Sequence, residues 1–143
     1  MSIETTKATL PEITGYDVLE KVAEGGMGTV YKARRREDGL IVAIKIIASS
    51  AARNAILLQR FKREFNVARQ IDHPNVVKAI EFCETPPNPF LVMEFVDGES
   101  LGARIEREGK IPEDEAKRIM VQVCQGLHRA HKQGIIHRCL LYT

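Results

Sequence analysis

The chain has 143 residues, 44% of them hydrophobic and 28% charged, with a formal net charge of +2. That suits one modest globular domain with its own core, and the charge is too small to argue for a nucleic-acid partner. Cys83, Cys124 and Cys139 are odd in number and lack C-x-x-C spacing, which argues against disulfides and zinc and for a reducing, cytoplasmic setting. No apolar run spans a bilayer, and the N-terminus lacks a signal-peptide core.

Residues 1–14 read as a flexible lead-in with little to bury. From Tyr16 the pattern is that of strands. YDVLEKVA and TVYKARR flank a glycine-rich turn, EGGMG, and the turn Glu37-Asp38-Gly39 leads into LIVAIKII. Arg34-Arg35-Arg36 reads as a solvated strand end or loop. Leu57, Leu58, Phe61, Phe65 and Ala68 then recur at helical steps until Pro74 and Asn75 break the run. VVKAIEFCE and PFLVMEFV read as two more strands, followed by a short helix from Leu101 to Glu108. A long helix spans 112–133. Pro112 suits its first position, Glu113, Asp114 and Glu115 its positive end, and Gly134 the position just past it. Its apolar stripe is Ala116, Ile119, Val123, Leu127 and Ala130.

Three features carry chemistry. The glycines of VAEGGMGTVYKA let backbone N–H groups approach a phosphate, because no Cβ intrudes. They run on into a strand, so this is neither a Rossmann turn nor a P-loop; alone they fit a plain hairpin equally well. Lys45, in VAIK, stands in a very apolar strand. It is either an edge lysine facing water or a cation aimed into a cleft. Glu64 lies at the border of the helix's apolar stripe, where a carboxylate is costly unless paired. Lys45 is a fitting partner, although a solvated helix glutamate would read the same way.

Their order is informative. Glycine loop, VAIK, helix glutamate, DHPNVV, FLVMEFVDGESL and GIIHR together resemble the protein kinase family, specifically its bacterial Ser/Thr members, over residues 16–140. The resemblance implies an α+β fold. A five-stranded antiparallel sheet with one long helix would form an N-lobe and hinge over 15–97, and two helices of an incomplete C-lobe would follow over 98–143. It also implies ATP with Mg2+ as cofactor and a protein substrate for the family's γ-phosphoryl transfer.

Residue by residue, the family's glycine pattern falls on Ala23, Gly25, Gly28 and Val30, with alanine replacing the first glycine. Val30 and Ala43 are expected to wall an adenine slot, with Val22 nearby. Lys45 matches the lysine on the α- and β-phosphates, and Glu64 its helix partner. Met93 resembles the gatekeeper. Glu94, Phe95 and Val96 resemble the hinge, with Glu94 C=O and Val96 N–H and C=O available to the base. His137 and Arg138 match the start of the catalytic loop.

The resemblance fails at the next residue. The family's catalytic base is an aspartate; here the position is Cys139, a soft nucleophile and a poor substitute for a carboxylate. Leu141 and Tyr142 also depart from the pattern. The catalytic-loop Asn and the metal-binding Asp are absent from this chain, so a catalytically incompetent ATP-binding part is expected. The alternative is a pseudokinase-like nucleotide-binding or protein-interaction module. A thiol hydrolase built on Cys139 and His137 has no third group or oxyanion site to support it.

Overall fold

The computed structural model describes residues 9–26, 28–84 and 88–134. Its strands are β1 (Tyr16–Gly25), β2 (Gly28–Arg35), β3 (Ile41–Ile47), β4 (Ala79–Cys83) and β5 (Phe90–Glu94). They form one antiparallel sheet in the spatial order β1-β2-β3-β5-β4. Helices α1 (Ser49–Ala52) and α2 (Ala55–Ala68) join β3 to β4, and α3 (Leu101–Glu108) and α4 (Glu113–Lys132) follow the sheet. The α+β architecture expected from the sequence is the one observed.

β3 is buried on both faces. Val42 and Ile44 on one side are 0% exposed, and Ala43 and Ile47 on the other are 8% and 3% exposed. A run of β-branched residues is what such a strand needs. Val42 and Ile44 join Ile13, Tyr16, Ala33 and Val92 in the outer-face core.

The sheet is coiled enough for its two edges to meet. The Tyr16 hydroxyl on β1 donates to Glu81 Oε2 on β4 at 3.0 Å. Its ring packs edge-on against Phe90, with centroids 6.4 Å apart. Burial, then the bond to Glu81, pushes the Tyr16 phenol up to about 12.

Four local details differ from the sequence reading. Ile13, expected in a lead-in with little to bury, is 8% exposed. A tight turn seats it in the core, closed by Tyr16 N–H donating to Ile13 C=O at 3.1 Å. α1 has no counterpart among the expected elements, since four residues carry no period. The fourth strand is shorter than VVKAIEFCE, starting at Ala79. Pro112 is the N-cap of α4 rather than its first helical residue: its ψ is 141°, and its C=O accepts from Ala116 N–H at 2.9 Å.

The helix ends are otherwise well signalled. Asn54 caps α2 by accepting from Ile56 and Leu57 N–H, and Ser100 caps α3 by accepting from Ala103 N–H. At the end of α4, Gly134 N–H donates to His131 C=O. α4 meets the loop before β4 through Gly126, where a Cβ would lie 2.8 Å from Asn75 O. Met120 and Val121, on another side of α4, are 53% and 54% exposed.

Gly28 fixes the glycine hairpin on β3. A Cβ there would lie 2.1 Å from Ile46 O, a collision with backbone that no rotamer relieves. At Gly26 a Cβ would meet nothing within 4 Å. Gly28→Ala is therefore expected to cost about 2–3 kcal/mol and Gly26→Ala under about 0.5 kcal/mol, read by urea denaturation. Tyr16→Phe is expected to cost about 1 kcal/mol at neutral pH. It also tests linkage. The native phenol titrates near 12 and the unfolded one near 10, so Tyr16 stabilises the fold below about pH 10 and loses that contribution as pH rises towards 12. Denaturation at stepped alkaline pH should show that loss in the wild type and a correspondingly flatter profile in Tyr16→Phe.

Candidate functional site

Paired residues on adjacent antiparallel strands point to the same face of the sheet. The observed register therefore draws two rows across the face opposite Val42 and Ile44. One row is Ala23, Val30, Lys45 and Leu91. The next is Lys32, Ala43, Met93 and Ala79. Ala23, Val30, Ala43, Lys45 and Met93, picked from distant parts of the sequence, share one patch of this inner face. Lys45 is half-buried in a strand flanked on both sides, so the edge-strand reading does not hold.

α2 lies over the same face. Phe65 of α2 packs on Phe82 of β4 with ring centroids 5.8 Å apart, and Phe82 pairs with Leu91 on the inner side. Glu64 is one residue before Phe65 in this helix. Its side chain, and so its expected pairing with Lys45, lies outside the described residues.

Gly25 and Gly28 face each other at the tip of the β1–β2 hairpin, and Gly28 also pairs with Ile47 of β3. Val22 is 51% exposed and sits at a register shift of β1 between Lys21 and Ala23. It borders the patch without being paired into it.

Glu94 closes β5. Its N–H donates to Lys78 C=O at 2.8 Å, and its carboxylate accepts from Lys78 N–H at 3.2 Å. Beyond it the chain leaves the ladder. Val96 is 62% exposed, and among the described residues no hydrogen bond reaches its backbone. A backbone N–H and C=O that no described residue engages, beside an apolar, half-buried patch, can receive a flat heteroaromatic ring with donors and acceptors on its edge.

Chemistry elsewhere is sparse. Arg35 and Arg36 pair with Asp38 and Asp17, as suits a strand end rather than an anion site. Burial, then Glu81, pushes the Cys83 thiol up to about 11, which makes it a poor nucleophile. Among the described residues no group of three or more His, Cys, Asp or Glu could hold a metal ion. Nor is any helix among them long and apolar enough to cross a membrane. His137, Arg138 and Cys139 lie outside the described residues. Lys32 also stands beside Ala43 on the inner face; a lysine in a mixed strand such as TVYKARR carries no sequence signal of its own.

Comparison with known proteins agrees with this geometry. The family model described as "Protein kinase domain" matches residues 16–140. PknA of Corynebacterium glutamicum, a serine/threonine-protein kinase, is 38% identical over 141 residues, covering 94% of this chain and 30% of its own. The serine/threonine-protein kinase pkn2 of Myxococcus xanthus is 38% identical over 125 residues, covering 87% of this chain and 15% of its own. This chain thus spans less than a third of either relative. The crystal structure of the Mycobacterium tuberculosis PknI kinase domain superposes with a TM-score of 0.78 at 25% identity, covering 90% of this chain and 52% of that one. The family model over residues 16–140 and relatives 38% identical over most of the chain, on a sheet that carries a glycine hairpin and a central-strand lysine, establish that the chain belongs to the protein kinase family, among its serine/threonine kinases.

Proposed function

We propose that this chain is the ATP-binding part of a Ser/Thr protein kinase and that it does not itself transfer the γ-phosphoryl group. Residues 15–97 would act as N-lobe and hinge, and 98–143 as the start of a C-lobe. The observation that carries the reading is the shared inner face of Ala23, Val30, Ala43, Lys45 and Met93 beside the Val96 backbone, to which no other described residue bonds.

In this reading adenine lies between Val30 and Ala43 with Val22 at the rim, Met93 behind it, and its edge on Glu94 C=O and Val96 N–H and C=O. Gly25 and Gly28 allow the hairpin backbone close to the phosphates. Lys45, oriented by Glu64, supplies positive charge to the α- and β-phosphates. Mg2+ would arrive with the nucleotide. The described residues hold no cluster fit to bind it, so no step is assigned through it. Cys139 cannot orient a substrate hydroxyl as an aspartate would, and the transfer relies on such positioning. A cytoplasmic setting, with ATP and a protein as partners, fits this reading.

The intact inner face, in a sequence that carries Cys139 for aspartate, also favours a second reading, a pseudokinase-like module that binds nucleotide or protein without catalysis. Restoring aspartate by Cys139→Asp in a chain extended through a relative's C-lobe separates the two: phosphoryl transfer regained supports the kinase part, and nucleotide binding without transfer favours the module.

The 143-residue chain is expected to bind ATP in a calorimetric titration, with Lys45→Met weakening binding about tenfold, roughly the ~1.4 kcal/mol of one charge-assisted hydrogen bond. It is expected to phosphorylate no protein substrate. Incorporation of labelled phosphate that Lys45→Met abolishes would contradict the reading.

A further inference from the structure

Lys32 is on β2, in the same inner-face row as Ala43 and Met93. Its side chain is 29% exposed, with the ammonium 4.8 Å from the centroid of the Phe95 ring. The Glu20 carboxylate lies 4.0 Å from the same ammonium and is itself 64% exposed. A cation over an aromatic face is attracted by the ring quadrupole, more strongly where water is partly excluded.

Phe95 lies between Glu94, the last residue of the sheet, and Val96, whose backbone no described residue engages. Past Glu94 no ladder fixes this segment, so the Lys32–Phe95 contact ties it to β2. We propose that Lys32 is a positioning residue. By holding Phe95, it fixes the Val96 backbone at the distance from Ala43 and Met93 that an adenine ring requires. This rests on the nucleotide-slot reading above and adds to it a residue outside the glycine loop, the VAIK lysine and the hinge. Lys32 is on the hinge side of the slot, one row away from Lys45, so it acts on the base and not on the phosphates.

Adenosine, which has no phosphate, separates these roles. Its Kd is measured by NMR titration for the full 143-residue chain and for Lys32→Met, Lys32→Arg, Phe95→Leu and the double variant Lys32→Met/Phe95→Leu, with ATP in parallel. Melting temperatures are taken without ligand. Lys32→Met and Phe95→Leu should each weaken adenosine about fivefold, the scale of a half-buried cation–π contact. The double variant should be no weaker than either single one, because both remove the same contact. Lys32→Arg keeps a cation over the ring and should restore wild-type affinity. ATP should lose affinity by the same factor, while the unliganded melting temperature stays close to wild type.

Additive losses, unchanged adenosine affinity in Lys32→Met, or a loss seen with ATP alone would overturn the positioning role while leaving the nucleotide slot intact. So would a failure of Lys32→Arg to restore binding. A wild-type chain that binds neither adenosine nor ATP would overturn the slot reading and this proposal with it.

Discussion

The two-sided burial of β3 is the constraint on which the rest depends. A strand flanked by β2 and β5 has no edge, so its side chains alternate between two packed faces. Val42 and Ile44 are committed to the outer core. Ala43 and Lys45 must then share the inner face, one residue too small to fill it and one too polar to be buried there without polar company. A register slip of one residue would exchange these sets and place Lys45 in the hydrocarbon core. The cost of that exchange pins the register, and the register assembles Ala23, Val30 and Met93 around the lysine.

β4 holds the assembly together from both faces. Glu81 turns outward to Tyr16 and closes the curl of the sheet, while Phe82 turns inward to Phe65 and seats α2. Lys62 and Glu84 add an exposed ion pair between α2 and the residue just past β4, worth little by itself. A short strand thus links the first residue of β1 to the helix that carries Glu64.

Much of this was readable in the order of residues, for identifiable reasons. A central strand shows itself as an unbroken β-branched run, and the lysine inside LIVAIKII stood out because burial makes charge conspicuous. Helix ends were legible where capping chemistry is local, as at Gly134. What escaped depends on distance or degeneracy. Tyr16 and Glu81 are 65 residues apart and meet only because the sheet coils. Ile13 is buried by a turn that a polar neighbourhood concealed. Gly28 reads as a phosphate-loop glycine, yet the backbone of β3 would demand it with no ligand present. Lys32 looks like any strand lysine until the fold brings the Phe95 ring to its ammonium.

The central claim is that one face of this sheet receives a nucleotide and the other is only a core. Methyl-resolved NMR tests it directly, because the two faces carry different methyl groups. On adding ATP, the account predicts shifts at Ala23, Val30, Ala43 and Met93, with Ala33, Val42, Ile44 and Val92 left in place. Shifts confined to the outer set, or spread equally over both faces, would contradict it.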